Sequence, residues 1–394
     1  MATTQTGTAA PAQFVRYAPE LDVLSAHFEE DLKTVVAGVE QYVVNSVAGE
    51  GVGRAVRFAH AKGYGLVRAE VEILDGLPPG YAQGLYATPG RHDALIRFSN
   101  GVAHLGADAL LSNAFGLALK MFNIAGTTLV DDEPDAGTFD YNTINMPVFF
   151  CNTVAHYLFI QQLFTDAPSY FARGKAGAHQ LLSEFLTGKG TLAEKDWAWD
   201  ELLTFLALAR LPAQNVLLST YWTEGAVRHG DCIAKVRFAP VRAFADAVES
   251  RVVDLMSDPD AYRTALVAEL KQRPFEFDLQ VQLCTNLEQM PVQDVTVEWL
   301  EALSQYVTVA KVRVPAQDIS GADNLEKMDA LSFTPWRVTA EHAPLGEIMR
   351  QPRGITRALA HEDYHFGPRI ARAQHRAQPL LPGADNQHRL ARPG

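Results

Sequence analysis

Apolar residues recur at helical spacing from Leu21 to Val47, with many charges between them, which predicts a helix. Beyond it the period changes. Tyr64–Leu74 (YGLVRAEVEIL) alternates apolar and polar residues in its second half. Ala94–Asn100 (ALIRFSN) and Phe115–Ile124 (FGLALKMFNI) follow, separated by turns containing Gly, Pro or Asn, and all three read as strands. Met146–Phe150 (MPVFF) adds a short, wholly apolar segment. From Thr153 to about Leu211 apolar residues again stand three and four apart, in VAHYLFIQQLF, QLLSEFL and WDELLTFLALARL. Strand patterns return at Cys232–Pro240, Phe275–Cys284 and Tyr306–Pro315, with a helix predicted in AYRTALVAELKQ before Pro274.

Strands, a helical insertion, more strands and a C-terminal helical region make an α+β chain. That order suits an antiparallel barrel with inserted helices, and not alternating βαβ units. The expected divisions are a flexible lead and helix over 1–50, a barrel over 51–345 with its insertion at about 153–211, and a helical segment over 346–365. Residues 366–394, rich in Arg, Gln, Pro and Gly, are expected to form a disordered tail.

Of the 394 residues, 47% are apolar, enough for a large core. The net charge of −12 makes the surface repel phosphate backbones, so nucleic acid is not an expected partner. Cys151, Cys232 and Cys284 lie far apart in apolar segments, without a C-x-x-C pair, and read as buried, reduced thiols of a cytoplasmic protein. The first residues, MATTQTGTAAPAQ, lack the charged and apolar regions of a secretory signal. No apolar run approaches 18 residues, so no membrane span is expected.

The common catalytic signatures are missing: G-x-G-x-x-G, a P-loop, H-E-x-x-H and G-x-S-x-G. In their place stand R-x-x-H-A-K-G-x-G from Arg57 to Gly65, I-R-F-S-N-G at Ile96–Gly101, G-L-A-L-K-M-F at Gly116–Phe122 and I-N-x-P-V-F-F at Ile144–Phe150. Further along come S-T-Y-W near Ser219, a strand around Gln282, and F-x-P-W…E-H-x-P-L-G from Phe333 to Gly346. Taken in order, these resemble the monofunctional haem catalases, and especially their shorter bacterial catalase-related branch.

The resemblance implies an antiparallel β-barrel of about eight strands, with helices outside and haem b buried beside it. It implies a peroxidase acting on hydrogen peroxide or an organic hydroperoxide. His60 would be the distal acid–base residue, a role a neutral imidazole can fill by moving a proton between two peroxide oxygens. The glycines after it would let the chain turn sharply. Arg57 and Arg97 would hold the haem propionates, since a guanidinium pairs bidentately with a carboxylate. Asn145 would steady the peroxide, although relatives carry two adjacent asparagines where this chain has Ile144-Asn145. Phe149, Phe150 and Tyr157 are candidates for the apolar pocket, and Arg353 for a further cofactor contact. The chain lacks the length for most of the arms and domains that make the large catalases tetramers, which leaves a homodimer as the assembly to expect.

The pattern departs from the family beneath the iron. Relatives use a tyrosinate ligand there, with an arginine one turn earlier that lowers the phenol's pKa. In this chain Thr356 and Pro352 fall at those positions, and an alkyl hydroxyl is a poor anionic ligand. Tyr364 is the next tyrosine, about 12 Å further along a continuous helix. His361 is an alternative ligand type. Phe115 is a second departure, at a position where relatives place arginine. Haem held through a shifted ligand, haem held by pocket contacts alone, and a fold that has lost haem all stay open. A catalase-fold binding protein and a haem enzyme of secondary metabolism are the corresponding alternatives.

Overall fold

The computed structural model describes residues 14–49, 56–102, 104–130, 133, 136–208 and 210–350. Nine strands form one antiparallel sheet. They are β1 (Gly63–Ile73), β2 (Gly90–Asn100), β3 (Phe115–Phe122), β4 (Thr138–Ile144), β5 (Tyr221–Trp222), β6 (Val227–His229), β7 (Cys232–Pro240), β8 (Phe275–Leu283) and β9 (Val307–Val314). Neighbours run β5-β4-β3-β2-β1-β9-β8-β7-β6, and β5 also pairs with β7 through Tyr221↔Phe238 and Trp222↔Arg237. That pairing closes the sheet into an eight-stranded barrel. β6 continues the same edge of β7, from Val227↔Ala234 to His229↔Cys232.

The barrel interior follows from strand alternation. Phe275, Phe277, Leu279 and Val281 of β8 point into the core, while Glu276, Asp278 and Gln280 between them reach the outside. β2 and β3 show no such alternation in burial, because their outer faces are covered as well. Ala94, Ile96 and Phe98 face inward, and Leu95 packs outward against Leu66, Phe122, Met328 and Leu331. The cover comes from α8 (Ala322–Ala330) and the segment after it. Asp140 of β4 fastens that segment. Its carboxylate takes Lys120 Nζ at 2.6 Å, Arg337 Nη1 at 2.5 Å and Thr334 N at 3.1 Å, all buried, and Arg337 Nε reaches Glu133 at 2.8 Å. Buried charges persist only when paired in this way.

The helices are α1 (Phe28–Gly49), α2 (Val154–Thr165), α3 (Ala167–Phe171), α4 (Gly174–Thr187), α5 (Trp199–Leu208), α6 (Arg242–Asp246), α7 (Ala261–Gln272) and α8. The insertion holds α2 to α5, as its 3.6-residue period predicts, and α7 spans the predicted AYRTALVAELKQ. α1 begins at Phe28, later than expected, because Pro19–Leu21 makes a separate 3-10 turn. Phe28, Val35, Val39 and Val43 bury one face of α1 against Val154 and Phe58. Met146–Phe150 is a series of bends and not a strand. The strand lies just before it, as β4, whose polar Asp140, Asn142 and Thr143 hide it from a hydrophobicity pattern.

Arg350 closes the described chain. It pairs with Asp22, whose Oδ1 also accepts from Gly346 N at 2.9 Å, and Glu347 accepts from Ser25 N and Val154 N. The N-terminal segment and the insertion therefore grip the same short stretch. The three cysteines are free thiols in buried positions. Among the described residues, no helix is long and apolar enough to cross a membrane. The expected segment 346–365 lies outside them beyond Arg350, as does the expected tail.

Candidate active site on the outer wall of the barrel

His60 leads into β1 with a left-handed backbone, φ 57°. Such a conformation is uncommon for a residue other than glycine, and it concentrates at functional sites. The glycines behind it do not form the sharp bend expected of them. Gly63 and Gly65 lie within β1, on either side of a register shift, and neither has positive φ. Their small size serves packing instead. A Cβ at Gly63 would stand 2.0 Å from Met328 Cε, and one at Gly65 would stand 2.7 Å from Ile319 Cδ1.

The loop that carries His60 is pinned on both sides. Ala61 N donates to Val102 O, and Asn100 N donates to Lys62 O. Lys62 Nζ meets Asp108 at 2.8 Å, Asp260 at 2.9 Å and the carbonyls of Gly106 and Pro259. Phe58, between Arg57 and His60, packs on Tyr42 of α1 at 5.4 Å between centroids.

The imidazole lies close against the barrel wall. A Cβ at Gly116 of β3 would fall 2.5 Å from both Nδ1 and Cε1 of His60, so only glycine admits the ring there. Ser99 of β2 pairs with Gly116 in register, and its Oγ lies 3.1 Å from His60 Nδ1. With Nδ1–H donating to Ser99, the lone pair of Nε2 is left to act as a base. Burial, reinforced by the Arg97 charge, pushes the His60 pKa down to about 4, so the ring is neutral at pH 7. Ser99 stands inside the I-R-F-S-N-G motif, yet sequence reasoning gave it no role. The signal was available: in strand β2 it is two residues from Arg97 and so shares its face.

Arg97 is 3% exposed, and its Nη2 donates to His60 O at 2.6 Å. Its Nε is buried with no hydrogen-bond partner among the described residues. Arg57 reaches the same region, with Asp329 at 3.4 Å and the carbonyl of Leu331 at 2.5 Å. Burial and the Arg57 charge both work against the charged form of Arg97, while Asp329 works for it. Two guanidiniums side by side, one with an orphaned N–H, favour an added anion.

Asn145 stands just past the end of β4, tied to the start of β3. Its Oδ1 accepts from Phe115 N at 2.7 Å, and its Nδ2 donates to Asn113 O at 3.0 Å. Two of the amide's four hydrogen-bonding positions are thus spent on backbone. Phe115 itself points into the barrel against Tyr262, 4.7 Å between centroids, away from the outer wall where an arginine was expected. Phe149 and Phe150 pack with tilted rings, 4.3 Å between centroids, and Phe150 stacks on Tyr157 at 6.4 Å. These three rings pack on the helical insertion, and Tyr157 also joins the cluster around α1 that contains Phe58. Arg353, Thr356, His361 and Tyr364 lie outside the described residues.

No family model matches the chain, and no curated protein matches it. Solved structures do. A fungal catalase aligns over 95% of this chain and 69% of its own, with TM-score 0.53 and 16% identity. A bacterial catalase aligns over 91% and 64%, with TM-score 0.56 and 13% identity. Catalase A from Saccharomyces cerevisiae aligns over 97% and 73%, with TM-score 0.56 and 17% identity. The fold is the catalase fold. At these identities the likeness is one of architecture, and it does not single out the shorter branch. Within the catalase fold of this chain, His60, Ser99, Gly116, Arg97 and Arg57 come together on the outer wall, while Asn145 is tied to the start of β3.

Proposed function

We propose that this chain is a haem-dependent, catalase-related peroxidase acting on hydrogen peroxide or organic hydroperoxides. One observation carries the reading: a neutral His60, tied through Nδ1 to Ser99, beside a buried Arg97 with an orphaned N–H and a half-buried Arg57. The residues suit haem b. Arg97 and Arg57 match two propionate carboxylates, and Ala118, two residues along β3 from the Gly116 that seats His60, keeps the wall between β2 and β4 shallow. Haem b, when bound, supplies the two electrons that O–O cleavage requires.

The chain's own part is proton handling and placement. His60 Nε2 would accept a proton from one peroxide oxygen and return it to the other, so that the leaving group departs as water or an alcohol. Ser99 Oγ keeps the ring in the tautomer this needs. Asn145 steadies the site through Phe115 and Asn113, and it retains one N–H for a peroxide oxygen. Phe149, Phe150 and Tyr157 supply apolar surface at the seam with the insertion. Tyr364 would hold the iron, with His361 as the alternative and Arg353 as a further cofactor contact.

Thr356 at the expected ligand position favours a second reading, a catalase-fold protein that binds haem or a lipid-like ligand without turning over peroxide. Titration of the full chain with hemin, followed by the Soret band and by peroxide consumption, separates the two. Saturable binding with turnover supports the peroxidase, and saturable binding without it supports the binder. No binding removes both haem readings.

A further inference from the structure

Asn142 stands on β4 between Tyr141 and Thr143. The alternation that turns Phe139 and Tyr141 into the barrel core turns Asn142 outward. It pairs with Ala118, and Ala118 pairs with Arg97, so one row across the wall reads Arg97, Ala118, Asn142. Only a methyl group separates the two polar residues. Asn142 Oδ1 is buried and has no hydrogen-bond partner among the described residues. The same row thus holds an orphaned donor, Arg97 Nε, and an orphaned acceptor. Buried orphans cost stability and call for an explanation.

The adjacent row carries His60 on Gly116, which pairs with Ile144. Gly116 and Asn142 are diagonal neighbours, about 7–8 Å apart at Cα. Ile144 offers the cradle only hydrocarbon, and Asn145 has given its Oδ1 and one N–H to backbone. Because strand side chains repeat every two residues, an amide at 142 faces the same way as one at 144.

We propose that Asn142 is a substrate-contacting residue, whose Oδ1 accepts a hydrogen bond from the second O–H of hydrogen peroxide while His60 takes the first. This rests on the peroxidase reading. The test compares Asn142→Val with the unaltered full chain, before and after hemin loading. Valine is compatible with a strand and removes the orphan. The hemin-free variant is expected to melt about 1–3 °C higher, because a buried acceptor without a partner is gone. Loaded with hemin, it should bind the porphyrin as tightly as the unaltered chain while kcat/KM for peroxide falls about tenfold, the loss of one hydrogen bond. Asn145→Ala serves as the contrast and should melt lower. A fall in melting temperature for Asn142→Val would assign the residue to the scaffold and overturn the proposal, as would unchanged kcat/KM. Hemin binding by the unaltered chain without any peroxide turnover sinks the peroxidase reading instead, and the substrate contact goes with it.

Discussion

Replacing Gly116 by alanine is the sharpest perturbation of the site. The new Cβ would lie 2.5 Å from His60 Cε1 and Nδ1 and 3.1 Å from Ser99 Oγ. Carbon atoms pack at about 3.5–4.0 Å, so the imidazole must retreat by roughly 1 Å. Gly116 has no positive φ, so the backbone tolerates alanine and the effect is confined to the ring. Overpacking of this kind costs roughly 1–3 kcal/mol. The 3.1 Å bond to Ser99 cannot survive such a retreat, and its loss adds about 1 kcal/mol. A displacement of about 1 Å at a catalytic group costs on the order of a hundredfold in rate. Urea denaturation reads the first quantity, and peroxide consumption by the hemin-loaded protein reads the second. Hemin affinity should stay near that of the unaltered chain, because Arg57 and Arg97 do not move. Unaltered turnover and stability in Gly116→Ala would refute the close seating of His60 against the wall and the role built on it.

Arg97→Met should weaken hemin binding about 10–100-fold, the loss of a charge-assisted pair, as read by Soret titration. Asp140→Ala strands Lys120 and Arg337 in the interior and should cost roughly 3–5 kcal/mol in a urea melt. Acid should destabilise the protein through buried His229 and His342 and partly buried His60. His60 is pushed down to about 4 and His342 to about 3, both mainly by burial, and burial lowers His229 as well. Below pH 6.5 the unfolded chain takes up protons at these sites before the native chain does, so their contribution is whole above 6.5 and lost as pH falls towards 3. For His60 alone this amounts to at most roughly 3 kcal/mol by pH 4. Urea midpoints measured from pH 7.5 down to 4 should fall steadily, and His342→Gln should flatten the slope if it folds.

The barrel strands legible in the sequence were those whose two faces see different surroundings. β8 alternates because one face fills the barrel and the other meets solvent and charge pairs. β4 was missed because its outer positions, Asp140 and Asn142, are polar, Asp140 being committed to Thr334 and Arg337 of the covering segment. Short β5 and β6 carry too few residues to show any period. α8 was missed for a related reason: among its nine residues Leu325 and Met328 are the apolar pair that packs on the barrel. Site residues were legible as a set of motifs, since His60, Arg57 and Arg97 do converge. Their supports were not. Ser99 beside Nδ1 and Gly116 under the ring follow from the pairing of β2 with β3, and they bring His60 against a residue about forty positions away in sequence. The Gly63-Tyr64-Gly65 run misled in the other direction, because a glycine that admits a methionine side chain looks in sequence like a glycine that turns the chain.

The most direct test is peroxide consumption by hemin-loaded His60→Ala beside the unaltered chain, with the Soret band recorded for both. The expected result is equal loading of the two proteins and a fall of on the order of 10²–10⁴ in the variant's rate, the contribution of a positioned acid–base group. Equal rates at equal loading would contradict the assignment of His60 as the residue that moves the peroxide proton.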